Sequence, residues 1–224
     1  MKPLNVLVGC ERTGIVRDAF RALGHNAWSC DLEPSTSDEG GYHLEGDVLW
    51  WLDGRPAPCC KEGRGWDLLI VHPPCTYLCS SGLHWNHRVP GRAKKTETAL
   101  RFVRKLMRAP VPHIAIENPV GCIGTRIRPA DQSIQPYEFG NNASKRTCLW
   151  LEGLPPLRPT KRVKGRTVVY KGRRVERWAN QTNSGQNRLG PSPERMMLRA
   201  ATYPGIAKAM ARQWSSYILK EQGK

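Results

Sequence analysis

The chain has 224 residues, and its 35 Lys and Arg against 19 Asp and Glu give a formal charge of +16. At roughly 100–200 residues per domain this is one domain with room for a small appendage, and a hydrophobic content of 39% is enough to bury a core, which excludes wholesale disorder. No apolar run approaches the roughly 18 residues of a membrane span, and the N-terminus lacks a signal peptide's apolar stretch and cleavage site, so a soluble cytoplasmic protein with no membrane partner is expected.

Charge is uneven: residues 1–75 carry net −4 and residues 76–224 net +20. This asymmetry fits a near-neutral half that handles a small molecule and a basic half that meets a polyanion, nucleic acid being favoured over a merely solvated basic surface. Cys10, Cys30 and Cys148 lie inside apolar runs, which suits buried thiols better than disulfides. Cys75, Cys79, His84 and His87 form a local cluster, but its short middle spacing matches no common zinc pattern, so no metal is expected.

In chain order, Leu4 to Gly9 predicts a buried parallel strand. Ile15, Val16, Ala19, Phe20 and Leu23 then recur at helical spacing, and Gly24 ends the helix. A second strand, Asn26 to Cys30, stops at Asp31 and Glu33. Such a strand, helix, strand unit suits an adenosine-type cofactor, because Gly permits close approach, the helix start offers amides and Asp31 can accept both ribose hydroxyls. Asp47, after Gly46, is the next polar contact around that pocket; taken by themselves, both carboxylates are slightly better accounted for by ordinary strand-end solvation.

Asp67 to Val71 predicts a strand leading into His72, Pro73, Pro74 and Cys75, where the prolines fix the backbone before the thiol as for a nucleophile. Residues 76–95 are expected as a mobile loop, after which Thr96 caps a helix burying Ala99, Leu100, Phe102, Val103, Leu106 and Met107. His113 to Ile116 predicts a strand ending in Glu117, Asn118 and Pro119. In an open α/β sheet such edges face one crevice, so Gly9, Asp31, Cys75 and Glu117 should converge. A further strand, Thr147 to Leu151, follows Ser144, Lys145 and Arg146. Residues 158–177 hold nine Lys or Arg and one acidic residue, and Thr167–Tyr170 and Arg173–Trp178 around Lys171 and Gly172 predict a basic β-hairpin. Ser192 and Pro193 start a short helix, and Pro204 starts a last one with Ile206, Ala209, Met210 and Gln213 on its sheet-facing side.

Taken in order, these motifs resemble those of the DNA cytosine-5 methyltransferase family, in a compact form similar to bacteriophage proteins. The Pro-Cys nucleophile motif is matched by His72 to Cys75, the Glu-Asn-Val motif by Glu117 to Gly121, and the Arg-containing motif by Ala143 to Gly153. VGCERTG, holding Gly9, Cys10 and Gly14, with Asp31 and then Asp47, sits where the family binds S-adenosylmethionine, as does Pro73; Thr202 to Met210 sits where the last motif returns to the cofactor. Thr76 stands where Gln is usual, and Val71-His72 replaces a double Gly.

The resemblance implies an α/β, Rossmann-like S-adenosylmethionine-dependent methyltransferase fold with a small basic β-hairpin insertion for target recognition. It implies a catalytic core over 1–157, a recognition region over 158–190 and C-terminal helices over 191–224, working as a monomer in the cytoplasm, the host's if phage-encoded. Cys75 would attack carbon 6 of cytosine, Glu117 would act as acid and base-reading group, and Arg146 or Lys145 would lower the thiol. Lys145, Arg166, Lys171, Arg173, Arg174 and Arg177 would contact duplex DNA, with the base flipped out at a short guanine-containing site. RNA or free nucleotides as substrate, and a non-catalytic DNA-binding protein on the same fold, are the competing readings.

Overall fold

The computed structural model describes residues 2–37, 40–53, 65–190, 192 and 195–223. From the N-terminus, β1 (Asn5–Gly9), α1 (Ile15–Arg21), β2 (Asn26–Asp31), β3 (His43–Glu45), α2 (Val48–Leu52) and β4 (Leu68–Val71) lead to the short α3 (Ser80–Leu83) and the long α4 (Arg92–Leu106). After them come β5 (His113–Pro119), α5 (Ile123–Arg126), β6 (Gln132–Ile134), β7 (Thr147–Glu152), the pair β8 (Arg166–Tyr170) and β9 (Arg173–Arg177), then α6 (Arg195–Ala200) and α7 (Pro204–Gln222).

Seven strands form one sheet in the order β3-β2-β1-β4-β5-β7-β6, and β8-β9 stands apart. The first five are parallel, whereas β7 runs antiparallel to both of its neighbours. Strand alternation feeds two cores. Val6, Val8, Leu68, Ile70, Leu149 and Leu151 face α1 and α7, where Phe20, Met210 and Trp214 are buried. Leu7, Leu69, Val71, Ile116 and Trp150 face the opposite side, against Val48 of α2 and Leu100, Val103 and Leu106 of α4. Helices on both faces explain why the central strands read as continuous apolar runs instead of alternating ones.

Two expectations fail here. Residues 76–95 are built of short helical turns over Cys75–Tyr77, Ser80–Leu83 and His84–His87. Thr96 caps nothing: α4 starts earlier, its N-cap is Gly91 at φ 75°, and Thr96 is buried inside it. Its hydroxyl instead donates to the Tyr77 carbonyl at 3.0 Å and is bonded by Asn86, tying the helix to the segment after Cys75. A buried Thr with local acceptors has no need of a cap position. The proposed helix start at Pro193 lies outside the described residues. Among the described residues, no helix is long and apolar enough to cross a membrane.

Candidate active site

The C-terminal ends of β1, β2, β4 and β5 open into two adjoining cavities. The first, of about 350 Å³, is lined by Cys10 to Thr13, Asp31, His72 to Cys75, Glu117 to Pro119, Lys145 and 199–202. The second, of about 720 Å³, shares Cys10, Asp31, Pro73 and Pro74 with it and adds Asp47, Val48, Tyr77, Leu78, Ala99 and Phe102 among its walls. The first lies toward α1 and α7, the second toward α2 and α4. Charged side chains are more numerous around the former, and the latter is the more apolar.

The turn after β1 is strained: Cys10 is held at φ 57°, a conformation uncommon outside Gly. Burial, then the neighbouring Asp31 carboxylate, push its thiol up, so Cys10 stays neutral. Glu11 follows, 5% exposed, and its two carboxylate oxygens accept the Val16 and Arg17 amides at 2.7 and 3.2 Å, filling the start of α1. Burial raises its pKa, opposed first by the charge of His72. Gly14 is at φ 67° immediately before α1, and a Cβ there would strike the Arg17 guanidinium. Neither Gly14 nor Gly9 lines either cavity; Gly9 is required by packing, since a Cβ would come within 2.6 Å of Val48.

Cys75 opens the turn after the two prolines, and the Cys79 amide donates to its carbonyl at 2.9 Å. The Cys79 side chain beside it, then burial, push Cys75 up, against the lowering influence of Lys145. The Cys75 side chain, aided by Ser81 and the Gly82 amide, pulls Cys79 down to about 5.

Glu117, at the end of β5, is 9% exposed. His72 Nδ1 donates to its Oε2 at 3.1 Å. Burial alone would raise the carboxyl, but the His72 hydrogen bond and charge, Lys145 and the Thr147 hydroxyl together hold it below the usual range. Asn118, buried beside it, donates to the Pro73 carbonyl at 2.7 Å and so joins the β5 end to the nucleophile turn. Lys145 faces the cavity, its ammonium within 3.3 Å of the Ala201 carbonyl. Arg146 faces the other way and donates to Ser133 Oγ at 2.9 Å.

Of the residues expected for the cofactor, Cys10, Asp31 and Pro73 line both cavities and Asp47 the second only. Asp47 caps α2, accepting the Leu49 amide at 2.9 Å. Asp31 accepts the Glu33 amide at 3.1 Å through Oδ1 alone, which leaves acceptor capacity toward the cavity. Glu11 and His72 are among the cavity residues to which sequence reading gave no part of their own, and Lys145 was named for DNA and, with Arg146, for lowering the thiol. The unusual His in front of the prolines was the available signal. Among the described residues, no group of three or more His, Cys, Asp and Glu could hold a metal ion.

The β8-β9 hairpin turns at Lys171 and Gly172, both with positive φ, as a two-residue type I′ connection requires. It is anchored by Trp178, whose ring stacks on Tyr137 at 3.8 Å and whose indole donates to the Val163 carbonyl at 3.0 Å. Two of its four arginines are internal. Arg166 donates to the Trp178 and Gln181 carbonyls, and Arg177 to the carbonyls of Glu176 and Asn183. Arg173, Arg174 and Lys171 are exposed; Arg174 sits opposite Val169, which is 70% exposed.

No protein-family model matches the chain, and no curated protein matches it in sequence. Among solved structures it is similar to a protein described as a DNA modification methyltransferase encoded within a prophage (E. coli), at 13% identity and a TM-score of 0.40, covering 66% of this chain and 46% of that one. It is also similar to the Entamoeba histolytica methyltransferase EhMeth, at 18% identity and a TM-score of 0.43, covering 73% of this chain and 59% of that one. The chain thus spans about half the length of these structures. Its own strand order, with the reversed β7 inserted between β5 and β6, is that of a Rossmann-like methyltransferase fold.

Proposed function

We propose that the chain methylates carbon 5 of cytosine in duplex DNA at a short guanine-containing site, using S-adenosylmethionine. The observation that carries this reading is the delivery of Cys75 and Glu117 by adjacent strand ends into one cavity ringed by charged side chains, beside a larger and more apolar one. The apolar cavity fits the donor: Val48, Ala99 and Phe102 suit a purine ring, and Asp31 has acceptor capacity for ribose hydroxyls. When bound, S-adenosylmethionine supplies the methyl group. The chain's own residues do the rest.

Cys75 Sγ forms a bond to carbon 6 of the flipped base as its proton passes to the neighbouring Cys79, whose thiol is drawn toward the thiolate. Glu117 meets the ring N3 and exocyclic amine edge: it takes up a proton from solvent as the base binds, passes it to N3 as the attack pushes electron density onto the ring, and accepts from the amine; after methyl transfer the carbon 5 proton leaves to solvent and Cys75 is eliminated. Lys145 is the cation facing both Cys75 and Glu117. On the surface, Arg173 and Arg174 are the hairpin side chains free to read guanine, with Lys171 on phosphate. Their basic region, 158–190, serves as the recognition element.

The test is incubation with labelled S-adenosylmethionine and unmethylated duplex DNA, followed by base-resolution mapping. 5-Methylcytosine next to guanine is expected. Label on RNA or free nucleotides alone, or DNA binding without label, would replace this reading by one of its competitors.

A further inference from the structure

We propose that His72 is a positioning residue for Glu117, bracing its carboxylate through Nδ1; the role assigned to Glu117 rests on the cytosine reading above. A carboxylate only accepts, so the 3.1 Å contact requires the proton on His72 Nδ1. This fixes the ring's orientation and occupies Oε2, so that Oε1 is the oxygen left for a bound base. Both side chains are about nine-tenths buried, at 9% and 11% exposure, where a hydrogen bond to a charged group is strong and its loss costly.

The ring's other nitrogen, Nε2, is buried with no hydrogen-bond partner among the described residues. Glu11 lines the same cavity, and its oxygens are already committed to the Val16 and Arg17 amides, so the ring's one hydrogen-bonded carboxylate is Glu117. The other charged or titratable groups lining this cavity are Cys10 after β1, Asp31 from β2, Cys75 after β4, Lys145 before β7, and Arg12 and Arg199. In the free protein Lys145 and the Thr147 hydroxyl share with His72 the task of holding Glu117 charged.

The first measurement needs no substrate: carbon-13 NMR titration of the Glu117 carboxyl in wild type, His72→Ala and His72→Asn, with melting curves alongside. Loss of the ring removes a lowering influence, so the Glu117 titration should move to higher pH in His72→Ala and partly return in His72→Asn, which keeps an amide donor near the Nδ1 position. The second is kinetic. In His72→Ala, kcat for cytosine methylation should fall about 10²-fold, as expected of a misplaced catalytic group, with KM for S-adenosylmethionine little changed. His72→Asn should recover much of the loss, and the pH–rate limb belonging to Glu117 should shift upward with the NMR titration. An unmoved Glu117 titration in a folded His72→Ala protein overturns the role given to His72. A wild type that makes no 5-methylcytosine, with the titration shifted as expected, overturns the cytosine reading and leaves the bracing contact standing.

Discussion

Gly121→Ala is the substitution for which the coordinates give the sharpest expectation. A Cβ on Gly121 would lie 1.9 Å from the Leu78 carbonyl oxygen and 2.8 Å from the Cys79 Cα. Restoring an ordinary contact of about 3.4 Å to that oxygen means opening the two segments by roughly 1.5 Å. The segments are laced together there: Ser80 N donates to the Val120 carbonyl at 3.0 Å, and Cys122 N to the Leu78 carbonyl at 2.8 Å. Overpacking of this kind costs about 1–3 kcal/mol, and in a domain of 150–250 residues each kcal/mol lowers the melting temperature by about 2–4 °C. The larger effect is on chemistry, because Leu78 and Cys79 are continuous with Cys75. A displacement near 1 Å at a reacting group costs about 10²-fold in rate. Covalent trapping on DNA containing 5-fluorocytosine should slow by that order, while melting falls by a few degrees. Gly124→Ala, with nothing within 4 Å of its Cβ, is the matched control and should change neither. Wild-type trapping and melting in Gly121→Ala would refute the close approach.

Cys75→Ala should abolish the trapped adduct, whereas Cys79→Ala should slow it without removing Cys75's ability to form it; gel shift under denaturing conditions reads both. Because Cys79 is drawn down to about 5 and Cys75 is pushed up, iodoacetamide near pH 6.5 should label Cys79 well ahead of Cys75, with peptide mass spectrometry as the measurement and equal labelling as the contrary result. The sign is fixed by Cys79: a lowered pKa leaves it thiolate above about 5 and protonated below. Arg166→Ala should loosen the hairpin and lower melting, since its guanidinium holds the Trp178 and Gln181 carbonyls, while Arg174→Ala should leave melting alone and relax sequence preference in a random-site methylation pool. Asp31→Ala should weaken S-adenosylmethionine binding severely by calorimetry, and unchanged affinity would remove Asp31 from the cofactor's ribose.

Much of the sheet could be read from residues alone because parallel, doubly covered strands are apolar throughout: LNVLVG, DLLIV and HIAI stand out from any neighbouring pattern. The hairpin was equally plain, since Lys171-Gly172 between two runs of β-formers is local information. What escaped reading depends on distant partners. β6 is three residues, Gln132 to Ile134, and becomes a strand only by pairing with β7. The helical turns after Cys75 carry no apolar period of their own. They are pinned by Thr96 from α4 and by the Gly121 contact, which lie far along the chain.

The two basic residues before β7 show the same limit at the site itself. Sequence reading named Arg146 as catalytic and Lys145 as a DNA contact, and left either of them to lower the thiol, yet neighbours along an extended chain point to opposite faces. Which face is which follows from register. Thr147 pairs with Pro119 and Leu149 with Glu117, so Thr147 shares the Glu117 face, and Lys145, two residues back, falls on it too. Arg146 and Cys148 take the other face, where Ser133 pairs with Cys148 and accepts from Arg146. One residue of slip in the β5-β7 pairing would exchange the two cations. The choice between them is thus made by an antiparallel contact between segments some thirty residues apart, and no local motif, however well matched, contains it.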